Sequence, residues 1–267
     1  MATSSRDTAS PPQTDAVSPV ERACWILKAV AGLEERRLTD IARYCGLHKA
    51  TTLRLIGLLE KEGLLRRDPD TRQYALGPEM ARLGNAATEI ADWRSIVRPA
   101  LMRLSDQWGD TSIFSLLSNI ELVCVDLQTG SYPIQANYQH IGSRRSLGTG
   151  SSGIAVLAAM PEDARRAALE RIPSHLSHFP AINTALIDEH VATAQKNGYA
   201  VLLHAVVPEM GGIAVAIRDT SGWPIAALSM PGLVSRIQSR EQEIATSLMK
   251  EAKVIEQAIG GLRLRVR

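Results

Sequence analysis

Residues 38–76 read LTDIARYCGLHKATTLRLIGLLEKEGLLRRDPDTRQYAL, and this stretch decides how the first third of the chain folds. Thr39 stands where it would cap a short helix over residues 40–44. Gly46 ends that helix, because glycine adopts the left-handed conformation a helix terminus often takes. A longer helix begins at His48 or Lys49 and runs to Glu62, before Gly63. Only residues 45–47 connect the two, so they must cross steeply, as in a helix-turn-helix. On the longer helix Thr52, Leu55, Ile56 and Leu59 recur at offsets of three, four and seven, which makes one buried stripe. At about 100° per residue, Ala50, Arg54, Gly57 and Lys61 then point outward, with Lys49 and Thr51 on the exposed first turn. Small residues allow close approach to a major groove, and long cations reach phosphates or guanine edges. An ordinary solvated helix face gives the same pattern.

The flanking residues favour the nucleic-acid reading. Residues 64–67 and 73–76 alternate like short strands, and Asp68-Pro69-Asp70-Thr71-Arg72 between them has the composition of a tight turn. The result is a hairpin wing carrying Arg66, Arg67 and Arg72, where flanking phosphates or a minor groove would lie. Upstream, Ser18-Pro19-Val20-Glu21 combines a capping serine, proline at the first helical position and glutamate at the third. It starts a helix that runs to about Ala31, with Ala23, Ile26, Leu27 and Val30 inward.

Composition sets wider limits. At 267 residues two domains are expected, and no apolar run approaches the roughly 18 residues of a membrane span. Residues 1–16, rich in Ser, Thr, Pro and Asp, read as a disordered tail without an export signal, so a cytoplasmic location is expected. Residues 17–78 hold 11 Lys/Arg against 8 Asp/Glu, an excess of +3, whereas residues 79–267 hold 18 of each. Cys24, Cys45 and Cys124 fit neither a zinc pattern nor a disulfide framework and read as buried, reduced thiols.

Beyond Gly77-Pro78, residues 79–91 read as a connecting helix with Met80, Leu83, Ala87 and Ile90 on one face. A further helix follows over Ile96 to Leu104, interrupted or kinked at Pro99. Strands are expected over residues 111–117, 121–128, 134–138, 199–204, 213–218 and 224–230, with helices over 152–160, 162–170, 184–197 and 240–260. Such a mixture indicates an α+β layer. Its most informative segment is Leu147-Gly148-Thr149-Gly150-Ser151-Ser152-Gly153-Ile154. Glycines and hydroxyls before an apolar helix expose N–H groups at the positive end of the helix dipole, a site suited to a carboxylate. A structural turn with a serine cap is the other reading. The segment lacks the Gly-Lys-Ser/Thr ending of a phosphate-binding P-loop.

Taken together, 20–23, 38–42, 46–52, 59–68 and 74–77 resemble the DNA-binding domain of IclR-type regulators. The segment around Gly150, with 198–200, 211–216, Arg218-Asp219, 226–232 and Arg236-Ile237, resembles the effector domain of the same regulators. The resemblance implies an N-terminal winged helix-turn-helix and a C-terminal GAF-like α+β effector domain joined by a helix. The expected divisions are tail 1–16, DNA-binding 17–78, linker helix 79–93, and effector binding and oligomerisation 94–262. It implies double-stranded DNA with a palindromic operator as partner, contacted through Thr39, His48, Lys49, Ala50, Thr51, Arg54, Lys61, Arg66, Arg67 and Arg72. It also implies a small organic or aromatic acid near Thr149, Gly150, Ser151, Ser152, Gly212 and Ser229. A homodimer or homotetramer, with no cofactor, metal or membrane partner, completes the expectation. Two departures, Gly153 where a lysine is common and Leu202 where some members carry an acid, point toward a less polar ligand.

An enzyme of a GAF-like fold with an accessory DNA- or protein-binding module is the alternative. Its candidates are weak. His175, His178 and His190 lack further ligands at metal-binding spacing. Cys124, with His140 or His204 as base, sits in the apolar run 122–125. Ser151 and Ser152 are not in a Gly-x-Ser-x-Gly turn.

Overall fold

Helix α1 (Pro19–Gly32) begins where Ser18 and Glu21 satisfy each other's backbone. The Ser18 amide donates to Glu21 Oε2 at 2.9 Å and the Glu21 amide to Ser18 Oγ at 3.2 Å. This capping box was legible in the sequence. The computed structural model describes residues 17–32, 36–86, 89–135, 139–172, 179 and 181–263. The chain divides into two compact units, Met1–Thr88 and Glu89–Arg267. The tail reading for residues 1–16 lies outside the described residues.

In the first unit, α2 (Leu38–Cys45) and α3 (Lys49–Lys61) follow, then β1 (Leu65–Arg67), β2 (Tyr74–Leu76) and α4 (Pro78–Ala86). Gly46 closes α2 at φ 63°, in the left-handed region. Ile26, Val30, Ile41, Leu55, Ile56 and Leu59 pack with Leu65 and Tyr74 into one core, so the hairpin is fastened to the helices by its inner face. Thr52 is wholly buried, and its hydroxyl donates to the His48 carbonyl at 3.1 Å, which satisfies it inside an apolar core.

Thr39 is not the cap of α2. The helix starts one residue earlier, at Leu38, and the Arg37 carbonyl accepts from the Asp40 and Ile41 amides at 3.0 and 3.1 Å. Thr39 therefore lies inside the first turn, exposed, and Arg37 is the N-cap. The connecting helix read over residues 79–91 falls on two helices: α4 ends at Ala86, with Leu83 exposed, and residues 89–91 open the next one. Ala87 and the Ile90 side chain lie outside the described residues.

The second unit opens with α5 (Glu89–Trp108), which continues through Pro99 without interruption. Six antiparallel strands follow: β3 (Ser112–Ser118), β4 (Glu121–Gln128), β5 (Arg144–Ser146), β6 (Ala200–Leu203), β7 (Met210–Arg218) and β8 (Pro224–Leu233), in the order β5-β4-β3-β8-β7-β6. Helices α6 (Ser151–Ala159), α7 (Glu162–Arg171) and α8 (Thr184–Asn197) cover one face. α5 and α10 (Glu241–Arg263) cover the other, and the short α9 (Val234–Ser239) follows β8. Alternation along the strands separates the two faces. Phe114, Ile213, Val215, Leu228 and Met230 fill the α5–α10 side. Their neighbours Ser115, Gly212, Ala214, Ala227 and Ser229 form the α6–α8 side. Small side chains under α6 leave space there.

The strand expected over 134–138 is absent at Ile134 and Gln135, while 136–138 lie outside the described residues. The Gln135 side chain instead ties the segment to the loop before β3, accepting from Thr111 Oγ1 at 2.7 Å and donating to the Gly109 carbonyl at 3.2 Å. β5 and α9 were not read from the sequence, being too short to show a period. Cys24 is exposed on α1, contrary to the expectation of a buried thiol, because it sits between the inward positions Ala23 and Ile26. Cys45 is half-buried and Cys124 buried. Among the described residues no helix is long and apolar enough to cross a membrane.

Candidate functional site

The first candidate surface is the outer face of α3 with the hairpin. His48, the N-cap of α3, and Lys49, Ala50, Arg54, Gly57 and Lys61 are all exposed, and Thr51 is half-buried, while Thr52, Leu55, Ile56 and Leu59 face the core. Among the described residues, Lys49, Arg54 and Lys61 have no ion pair. Thr39 is exposed on the first turn of α2.

The wing turn is built by Asp68, whose Oδ1 accepts from the amides of Asp70 at 3.0 Å and Thr71 at 2.8 Å. These bonds, Thr71's foremost, hold its carboxyl below the usual range. Arg72 at the tip takes a left-handed φ of 58° and is exposed. Arg66 and Arg67 are successive residues of β1, so they leave it on opposite faces. Arg67, on the side of Leu65 and Tyr74, lies over the Tyr74 ring with its guanidinium carbon 5.6 Å from the centroid. Arg66, opposite Ala75, is on the outer side. Arg66 and Arg67 thus face different sides of the wing.

The second candidate is a cavity under α6 of about 60 Å³. All six residues read from the sequence, Thr149, Gly150, Ser151, Ser152, Gly212 and Ser229, line it. Gly150 is the N-cap of α6 and makes no side-chain cap bond. The first-turn amides of α6 therefore have no capping side chain over them. The Thr149 hydroxyl is engaged, donating to the Ser146 carbonyl at 2.7 Å, so it holds the turn. Ser229 on β8 lies opposite Ala214 and Ile113 in the sheet, which places it on the cavity side.

Two glycines shape this floor by close approach. A Cβ at Gly212 would lie 2.8 Å from Ser151 Oγ. One at Gly153 would lie 2.7 Å from the Gly148 nitrogen and 3.0 Å from Leu147 Cα. Gly153 is therefore required by the fold of the turn against its own helix, independently of any ligand.

The remaining lining comes from elements that the sequence did not connect with this site. Ile113 and Ser115 reach it from β3, Leu122 from β4 and Arg145 and Ser146 from β5. Leu202 and the β6–β7 connection, with Ala205, Val206 and Val207, form an apolar wall. That connection is bounded by His204 and Glu209, both in the left-handed region at φ 59°. Arg145 was not singled out, because β5 was not recognised and its partner Leu122 lies 23 positions away in the chain.

Burial, then the nearby Asp126 carboxylate, pushes the Cys124 thiol up to about 11, against a smaller opposing effect of Arg94, so it is not a thiolate near neutrality. His175 and His178 lie outside the described residues. Among the described residues no three His, Cys, Asp or Glu side chains converge as a metal site.

Residues 85–257 match the family described as Bacterial transcriptional regulator IclR C-terminal, and residues 19–69 match the IclR helix-turn-helix domain. Over 96% of its length the chain is 26% identical to the Transcriptional repressor IclR of Escherichia coli (strain K12), of which it covers 94%. It is 27% identical to the HTH-type transcriptional regulator XynR of the same organism, covering 91% of this chain and 98% of the relative. Among solved structures, an IclR family transcriptional regulator from Brucella abortus matches at a TM-score of 0.73 and 24% identity, over 92% of this chain and 93% of that one. An IclR homologue from Microbacterium hydrocarbonoxydans, crystallised with 4-hydroxybenzoate, matches at 0.71 and 22%, over 91% and 99%. At these identities the two structures speak for the fold.

Proposed function

The chain belongs to the IclR family of bacterial transcriptional regulators, and from that premise we propose that a small organic or aromatic acid in the cavity under α6 controls how α3 and the wing hold an operator. The family is one of DNA-binding regulators with an effector-binding C-terminal domain, not of enzymes, so the catalytic alternative is set aside.

In this reading Lys49, Ala50 and Thr51 meet base edges from the first turn of α3, while Arg54 and Lys61 reach phosphates along the groove. Thr39 and His48 approach the backbone beside them, and Arg66, Arg67 and Arg72 follow the flanking strand. The operator is palindromic and the protein acts in the cytoplasm as a homodimer or homotetramer, because paired recognition helices need two half-sites.

The observation that carries the ligand assignment is the convergence of Ser151, Gly212 and Ser229 on one cavity at the uncapped end of α6. An anion there is stabilised by the α6 amides and dipole. The present volume of about 60 Å³ suits a three-carbon acid. An aromatic ring needs on the order of 150 Å³, so it enters only if the apolar wall at Ala205–Val207 yields. The bound 4-hydroxybenzoate of the Microbacterium homologue makes that acid a natural member of the screen.

The experiment is a gel shift on DNA upstream of the chain's own gene, joined to a thermal-shift screen of 4-hydroxybenzoate, benzoate and pyruvate. Salt-sensitive, sequence-selective binding lost in Arg54→Ala, and a melting shift reduced in Ser229→Ala, are the expected results. Binding indifferent to sequence, or a shift untouched by Ser229→Ala, would overturn the respective half.

A further inference from the structure

We propose that Leu53 reads thymine in the operator: its side chain packs against the 5-methyl group of one thymine in each half-site as α3 lies in the major groove. The proposal rests on the reading of α3 as the recognition helix and adds the residue that gives that helix an apolar contact to a base.

The core does not account for Leu53. Thr52, Leu55, Ile56 and Leu59 are the buried side of α3, and Leu53 is not among the residues packed in that core. It is 51% exposed. It stands three positions after Ala50, one before Arg54 and four before Gly57, all of them exposed. Offsets of three and four share a helix face, so Leu53 belongs to the outer surface with them. Leu58, also exposed, is five positions further on and leaves α3 on a different side. The two leucines therefore do not make one apolar patch.

Two small neighbours keep Leu53 uncovered. Helical side chains lean toward the N-terminus, so each covers the turn before its own Cα. A side chain at position 57 would lie over Leu53, and Gly57 has none. A Cβ there would meet nothing within 4 Å, so packing among the described residues does not demand the glycine. Glycine inside a helix weakens it relative to alanine; here it leaves the leucine bare. By the same lean Leu53 reaches over the turn of Lys49 and Ala50, the end of α3 that approaches base edges.

The surroundings select the occupant. Lys49, Arg54 and Lys61 are exposed on the same helix and have no ion pair among the described residues, which suits a polyanion. In a major groove the apolar group open to a leucine is the thymine 5-methyl. Cytosine presents an amino donor there, which leucine would leave unpaired. Burying one such methyl changes affinity about fourfold, so two half-sites together give roughly fifteenfold.

The test replaces thymine by uracil, which lacks only the 5-methyl group, at one symmetric pair of positions at a time. The probe is the shortest duplex from upstream of the chain's own gene that the full chain binds selectively. At one such pair the wild type is expected to lose about tenfold or more in affinity, and Leu53→Ala less than about twofold. Uracil at the remaining thymines should affect both proteins alike. Leu53 is exposed and alanine is the better helix former, so the variant should melt like the wild type. Leu58→Ala should keep the whole uracil response. The proposal is overturned if every uracil pair affects wild type and Leu53→Ala alike, or if Leu58→Ala loses the response equally. Altered subunit association in Leu53→Ala, with the uracil response intact, would assign the side chain to a contact between copies and overturn it too. If the wild type binds no duplex selectively, the recognition-helix reading itself fails, an outcome recognisable without any variant.

Discussion

Gly212 on β7 and Ser151 on α6 meet at the cavity floor so closely that a Cβ on the glycine would stand 2.8 Å from the serine Oγ. The approach joins sheet to helix at the point where the helix offers its free amides. Gly212→Ala is therefore expected to cost about 1–2 kcal/mol by overpacking and to weaken acid binding. Ser151→Ala removes the obstructing oxygen, so the double variant should be less destabilised than the sum of the two single ones. Urea unfolding of the four proteins measures this coupling, and strict additivity would contradict the contact.

The wing arginines should separate by role. Arg66→Ala, on the outer side of β1, is expected to leave melting unchanged and to reduce the salt dependence of DNA binding by about one counterion. Arg67→Ala also removes the stacking on Tyr74. It should cost about 0.5–1 kcal/mol of stability in addition to its effect on DNA. Thermal melts beside binding titrations at several salt concentrations distinguish the two.

Alkaline pH should loosen the fold through its thiols. Burial raises Cys45 and Cys124 from 9.0 to about 11, so the native state keeps protons that the unfolded chain has lost. A raised native pKa gives stability that is complete below pH 9 and disappears as pH rises toward 11. Denaturant midpoints should fall across that interval. At pH 8 a thiol reagent should modify the exposed Cys24 first and Cys124 last.

Buried and exposed ion pairs should behave differently. Asp110, with 2% of its side chain exposed, accepts from Arg236 and Arg240, each at 3.0 Å, while Tyr132 stacks on Arg236 with the guanidinium carbon 3.6 Å from the ring centre. Asp110→Asn leaves two guanidinium groups without their anion in a partly enclosed site and is expected to cost about 3 kcal/mol. Asp163→Asn breaks the surface pair with Arg166, whose partners are 91% and 65% exposed, and should cost well under 1 kcal/mol. Equal losses in urea unfolding would contradict the distinction.

How far the sequence could be read depended on the range of the forces involved. The capping box at Ser18 and Glu21, the Gly46 terminus and the Thr52–Leu59 stripe are local, set by spacing within a few turns, and all were legible. So was the glycine-rich approach to α6, although Ser229 and Gly212 were joined to it by resemblance. Thr39 misled because many helix starts carry a threonine, and only the carbonyl of Arg37 decides where this one begins. β5 escaped because three residues show no period, and with it went Arg145, whose place in the cavity is set by pairing with a distant strand. The small-residue face formed by Ser115, Ala214 and Ala227 is likewise a property of three strands in register, invisible in any one of them.

The most direct test of the account is a fluorescence-anisotropy titration of operator DNA with the full chain at fixed salt, with and without an acid shown to bind. Wild-type operator affinity is expected to change by about fivefold or more on saturation, and Gly212→Val, which fills the floor beside Ser151, should bind DNA but lose the response. An affinity indifferent to the bound acid, or a response intact in Gly212→Val, would contradict control of α3 and the wing from the cavity under α6.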